Sequence, residues 1–142
     1  MSVARLLSFL AVIFLWSAAA LAAPSWKVTE MSGDVVLTRP GMQNVALSRG
    51  ASLQAGDAIQ TGKGGRAVLT RDQEYVILAP ESRLRLPEVQ AERSLGQVLQ
   101  DFGTALFKIE KKATPHFEVR TPYLAAVVKG TKFSVTVGAA EA

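Results

Sequence analysis

Residues 60–80 carry the pattern that decides the fold class, and they read QTGKGGRAVLTRDQEYVILAP. A glycine-rich turn at residues 62–65 is followed by a short apolar run at residues 66–70. A second apolar run, residues 75–78, is closed by Pro80. Short apolar runs bounded by glycine, proline and aspartate are typical of β-strands joined by tight turns.

The same pattern of short apolar runs bounded by turn-forming residues continues along the chain. Residues 133–137 read FSVTV, in which every second side chain is apolar, so we expect a strand with one buried face. Other short strands are predicted at residues 84–86, 105–109 and 117–120. The chain is therefore predicted to be all-β, a compact β-sandwich or β-roll of short strands joined by Gly/Asp turns.

One segment leaves an alternative open. Residues 87–99 are rich in helix-forming side chains, so a short helix that Gly96 ends competes with extended structure there.

The composition excludes several functional classes. Hydrophobic residues make up 49% and charged residues 20% of the 142 residues, as in an ordinary globular protein. The chain has no cysteine and one histidine, which excludes disulfides, thiolate metal sites and histidine clusters. The net charge is only +4, and basic side chains alternate with acidic ones, so we expect no nucleic-acid partner.

Residues 1–22 have the features of an export signal. Arg5 supplies a positive charge, residues 6–16 form an apolar run, and Ala20 and Ala22 give the small-residue pattern that signal peptidase reads. We predict cleavage near Ala22.

The predicted product of cleavage is one domain, residues 23–142, in the periplasm or secreted, without a stable membrane span. A retained N-terminal anchor is the alternative, because residues 1–23 nearly supply the roughly 20 apolar residues of a spanning helix.

Five segments of the mature chain match one motif pattern in order and spacing. Residues 53–62 match L-x-x-GD-x-I-x-TG, residues 76–82 match I-x-L-x-P-x-S, residues 103–107 match G-x-x-x-F, residues 115–122 match P-F-x-V-x-TP with His116 inserted, and residues 128–135 match V-x-GT-x-F-x-V. With these segments, the chain resembles the FecR-domain family over residues 28–137. Lys129 stands where this family commonly has arginine, and the family pattern commonly continues into another hairpin, so we expect a short domain or part of a longer protein.

The motif residues resemble fold-forming positions of the family. They are Gly56, Asp57, Ile59, Thr61, Gly62, Pro80, Gly103, Phe107, Thr121, Pro122 and Phe133. Asp57 is expected to accept hydrogen bonds from backbone N–H groups, and Gly130 to allow a close backbone passage.

Candidate binding residues lie near the end of the chain. Lys129, Gly130, Thr131 and Lys132 are the candidate ligand or partner site. Lys108, Lys111 and Lys112 form a second basic cluster, which is either a solvated loop or a contact for an anionic lipid or polysaccharide. Trp26 either packs in the core or contacts carbohydrate.

No catalytic group, metal site or cofactor is predicted. His116 lacks a second histidine with which to hold a metal ion. No G-x-S-x-G or phosphate-binding motif is present. Asp72 and Glu74 are spaced on one strand face, but an exposed turn does not suit a glycosidase pair.

The family resemblance implies a non-enzymatic module related to the signal-receiving periplasmic half of iron-transport anti-sigma regulators. A protein partner in the cell envelope is expected. The alternative is a structural β-module of a larger envelope protein. Because residues 133–137 could leave one strand edge unpaired, self-association through this strand is also predicted.

Overall fold

The computed structural model describes residues 25–88 and 96–138, so the predicted signal peptide, residues 1–22, lies outside the described residues. Eleven strands build this part of the chain: β1 (Lys27–Ser32), β2 (Val35–Arg39), β3 (Met42–Val45), β4 (Ala58–Thr61), β5 (Arg66–Arg71), β6 (Glu74–Leu78), β7 (Arg83–Arg85), β8 (Gly96–Lys108), β9 (Phe117–Arg120), β10 (Ala125–Val128) and β11 (Lys132–Val137). No helix occurs in these ranges, and the predicted all-β class is confirmed.

The strands form one curled sheet in the order β1-β5-β6-β8-β7-β4-β2-β3, to which β9, β10 and β11 are attached. β9 and β11 both pair with β8, and β10 pairs with β9. Every pair is antiparallel except β8 with β9, which is parallel. The chain reaches this parallel pair through residues 109–116, which leave the end of β8 and return to its beginning.

Strand β8 joins the two halves of the sheet because its partners change at Gly103. Residues before Gly103 pair with β7 and β9, whereas residues after it pair with β6 and β11. Gly103 has φ +86°, and a Cβ there would overlap the backbone of Ser82. Only glycine suits this corner, because the left-handed conformation and the close approach both exclude a side chain.

The core lies inside the curl of the sheet, where alternate strand residues point inward. Phe107 is fully buried and stacks on Phe133 with ring centroids 5.2 Å apart. Phe117 lies 6.1 Å from Phe107 on the other side. Trp26 packs edge-on against Phe117 at 6.4 Å and is 4% exposed, so it belongs to the core and does not face a carbohydrate ligand.

The helical alternative for residues 87–99 is wrong where the structure describes the segment. β8 begins at Gly96, and Val98 and Gln100 are fully buried within it. Residues 96–99 pair in parallel with β9, so a long-range ladder decides their conformation over local helix propensity. Residues 89–95 lie outside the described part. The strand predicted at 105–109 is the C-terminal part of β8, which ends at Lys108.

Candidate interaction surface

Several motif residues meet at one polar corner of the fold. The Ser82 N–H donates to Thr61 Oγ1 at 3.0 Å, and the Thr61 N–H donates to the Ser82 carbonyl at 2.9 Å. Ser82 Oγ accepts the Thr104 N–H at 2.8 Å, beside Gly103. The Gly62 N–H donates to the Asp34 carbonyl at 2.9 Å. Pro80 lies in the same turn as Ser82. The hydrogen bonds at this corner tie β4, β7 and β8 together.

A second corner is built around Asp57, which is 1% exposed. Its carboxylate accepts two hydrogen bonds from Arg39, at 2.9 and 3.1 Å, and one from the backbone N–H of Gln54 at 2.8 Å. The hydrogen bond with Asp57 raises the pKa of Arg39. Gly56 has φ +85°, and Ile59 is buried in the core.

Asp101 holds two arginines across the β7–β8 pair. Arg83 Nε lies 3.0 Å and Arg85 Nε 2.7 Å from its carboxylate. Partial burial opposes ionisation of Asp101 and is the largest single influence on it. The hydrogen bonds and charges of Arg85 and Arg83 together outweigh that burial and lower the pKa of Asp101. The charged groups of Arg83, Arg85 and Asp101 therefore bind one another within the sheet.

Thr121 and Pro122 form the tight turn between β9 and β10. The Thr121 N–H donates to the Leu124 carbonyl at 2.8 Å. Thr121 Oγ1 accepts the N–H groups of Tyr123 and Leu124 at 3.2 and 3.1 Å. The turn fixes where β10 starts and leaves the Tyr123 and Leu124 side chains 68% and 55% exposed.

The candidate binding segment, residues 129–132, runs beside the segment that follows β8. The Lys112 N–H donates to the Lys129 carbonyl and the Ile109 N–H to the Thr131 carbonyl, both at 2.9 Å. Gly130 has φ +141°, and a Cβ there would overlap the backbone of Glu110 and Lys111. The two basic clusters of the sequence therefore lie on adjacent chain segments in the structure.

We define the lysine cluster as Lys108, Lys111, Lys112, Lys129 and Lys132. All of these lysines are exposed, and Lys108 lies directly opposite Lys132 in the β8–β11 pair. Like charges directly opposite one another destabilise a sheet. Within residues 25–88 and 96–138, no lysine of the cluster forms a salt bridge.

The carboxylates near the lysine cluster are few. Glu74 is 6% exposed, where an exposed turn was expected, because its carboxylate binds Arg71 at 2.9 Å and the Glu110 N–H at 3.2 Å. Asp72 lies in the exposed turn before β6, so the two carboxylates do not form a catalytic pair. Glu110 itself is exposed among the lysines, and its carbonyl contacts His116 Nε2 at 2.6 Å.

Beside the lysine cluster, β10 presents an uncharged edge. Within the described residues β10 pairs with β9 on one side, and no strand pairs with its other side. The residues from Tyr123 to Val128, which we call the β10 edge, contain no charged side chain. Val127 is 51% exposed.

Metal sites and membrane-spanning helices are both absent from the described ranges. Among residues 25–88 and 96–138, no three His, Asp or Glu side chains lie together so that they could hold a metal ion. The described part of the chain also contains no helix that is long and apolar enough to cross a membrane.

A comparison with protein families matches residues 57–142 to the model described as FecR protein. The chain belongs to the FecR protein family. No curated protein and no solved structure matches it significantly. The FecR match begins at Asp57 and includes the whole lysine cluster and the whole β10 edge, whereas the motif resemblance began near residue 28.

In the sequence, the lysines of this FecR domain form two separate groups, and the motif segments leave out residues 123–127 of the β10 edge. The signal that could have revealed it is the uncharged run between Arg120 and Lys129, which reads TPYLAAVV. An apolar run of this length that stays exposed is a candidate contact surface, but its exposure is visible only in the folded chain.

Proposed function

We propose that this FecR-family chain is an exported, non-enzymatic interaction module of the cell envelope that binds a partner protein at the lysine cluster. Its role would match that of the signal-receiving periplasmic half of FecR-like regulators. The observation that carries the proposal is the adjacency of the chain segments that present five exposed lysines: the end of β8, the loop that follows it, Lys129 after β10, and the first residue of β11.

Lys108 and Lys132 are like charges directly opposite one another, an arrangement that disfavours the isolated sheet. An anionic partner surface removes this repulsion on binding, and it is also steered towards the cluster before contact. The partner recognised by this chemistry therefore carries an acidic patch.

The placement of the other polar groups supports binding over catalysis. Asp57 and Glu74 are buried and held by arginines, and Asp101 is bound by two more. Nε2 of His116 contacts the backbone carbonyl of Glu110. These groups are committed to holding the strands and loops together.

Site-specific photocrosslinking in the native host tests the proposal. A crosslinking residue at Ala113, which is exposed directly after Lys112, should give a discrete protein adduct in the periplasmic or membrane fraction. The same residue at Gln54, exposed at the Asp57 corner, should not.

Charge reversal provides the matched control. The double variant Lys111→Glu and Lys129→Glu should abolish the adduct formed at Ala113, whereas reversal of Lys27 and Lys63, which are exposed elsewhere, should leave it unchanged. An adduct that survives reversal of the cluster, or the absence of any adduct, would contradict the proposed function.

A further inference from the structure

We propose that the β10 edge binds an extended acidic segment of the partner by strand addition, and that the lysine cluster holds the carboxylates of that segment. This inference rests on the proposed function and specifies how the partner is held. It requires unpaired backbone groups on β10, an edge that nothing blunts, and positive charge within reach of an added strand.

The backbone of β10 supplies the unpaired groups. The carbonyl groups of Leu124 and Val128 accept hydrogen bonds from Thr121 and His116, on the β9 side. Backbone groups of successive strand residues point to alternate sides, so Ala125 and Val127 direct their N–H and C=O groups away from β9. Within the described ranges no strand pairs with that side. Two donors and two acceptors are thus available to an added strand.

The side chains leave this edge open. Natural sheets protect exposed edges with charged residues, proline or bulges. The edge strands β1 and β11 begin with lysines, Lys27 and Lys132, whereas β10 contains only alanine and valine. The exposed side chains of Tyr123, Leu124 and Val127 extend the contact surface for apolar residues of the segment.

The lysine cluster lies at one end of the β10 edge and decides the charge of the occupant. Lys129 directly follows β10, and Lys112 donates its N–H to the Lys129 carbonyl. A strand rises about 3.3 Å per residue, so Lys129 lies only about 7 Å beyond Val127. Carboxylates at that end of an added strand reach Lys112 and Lys129. The β10 strand of a second copy carries no carboxylate of its own, so an acidic segment is favoured over self-pairing.

The test uses the mature chain and a synthetic peptide as the probe. The peptide alternates valine and threonine over five residues and carries two glutamates at one end. Its binding should slow hydrogen exchange of the Ala125 and Val127 amides about tenfold or more, as new hydrogen bonds form there. The Ala126 amide, on the β9 side of the strand, should not change.

Backbone variants separate strand addition from simple charge attraction. Val127→Pro removes an N–H that points away from β9, and edge strands tolerate proline at such positions. It should weaken peptide binding about tenfold, the scale of one lost hydrogen bond, whereas Val127→Ala keeps the N–H and should bind nearly as the parent. If Val127→Pro fails to fold, a peptide N-methylated at alternate residues makes the same test on the unaltered protein.

The outcomes distinguish this inference from the proposed function. Peptide binding that is lost on reversal of Lys111 and Lys129 but unchanged by Val127→Pro or N-methylation overturns strand addition and leaves the lysine cluster as a binding surface. Absence of peptide binding overturns strand addition as well. A concentration-dependent dimer that Val127→Pro abolishes, without peptide binding, assigns the edge to a second copy and also overturns it. Strand addition in the cell is supported if the crosslink from Ala113 is lost in the Val127→Pro variant and kept in Val127→Ala.

Discussion

Replacing Gly130 by alanine should destabilise the domain strongly, because two costs act at the same residue. At φ +141° an L-residue is strained by about 1–3 kcal/mol. The new Cβ would also overlap the backbone of Glu110 and Lys111, which cannot rotate away as a flexible side chain can. Moving that backbone lengthens the 2.9 Å hydrogen bond between Lys112 and Lys129, which is worth about 1 kcal/mol.

Together these costs give a destabilisation of about 2–4 kcal/mol, and Gly130→Val should be at least as severe. Urea unfolding followed by circular dichroism should show a lower midpoint with an unchanged slope. The melting temperature should fall by roughly 10 °C.

Two other glycines separate the two costs. Gly41 has φ +76° but open space around the position of a Cβ, so Gly41→Ala should cost only about 1 kcal/mol. Gly138 has neither a positive φ nor a close neighbour, so Gly138→Ala should be neutral or slightly stabilising. Equal unfolding midpoints for Gly130→Ala and Gly138→Ala would refute the reasoning.

Four further predictions concern charge, export and association. Asp57→Asn should lower the midpoint of urea unfolding, because it removes the buried carboxylate that binds Arg39 and the Gln54 N–H, whereas Asp72→Asn in an exposed turn should be silent; equal midpoints would contradict this. The lowered pKa of Asp101 contributes stability that is fully present above about pH 4 and is lost as the pH falls below it. Asp101→Asn should therefore reduce the loss of stability at acidic pH. An unchanged pH dependence of the free energy of unfolding would exclude this contribution. The intact mass of periplasmic protein should show cleavage near Ala22, and an uncleaved chain in the membrane fraction would refute this. Sedimentation at several concentrations should show self-association through residues 133–137, which a strict monomer would refute.

The strand predicted at residues 133–137 corresponds to β11 in the structure. Its alternation is visible in the sequence, and in the structure Val137 is buried while Ser134 and Thr136 are exposed. β11 pairs with β8 on one side, and within the described residues it has no second partner. The predicted self-association therefore keeps a free edge to act through, although β11, unlike β10, starts with a lysine.

Local sequence patterns were enough to predict the all-β class and the FecR family. Both depend on local chemistry: alternation over a few residues buries one face of a strand, and glycine or aspartate at a corner permits a tight turn. Gly103 and Gly130 could be recognised for the same reason, since only glycine tolerates the backbone that these corners need.

Which distant segments meet became visible only in the folded chain. Helix propensity could not show that residues 96–99 pair in parallel with β9, because that pairing depends on a partner about twenty residues away. The burial of Glu74, the union of Lys108, Lys111 and Lys112 with Lys129 and Lys132, and the exposure of the β10 edge have the same origin. Burial and the proximity of charges depend on long-range packing. The sequence shows which residues are charged or apolar, but not which of them lie next to one another on the folded surface.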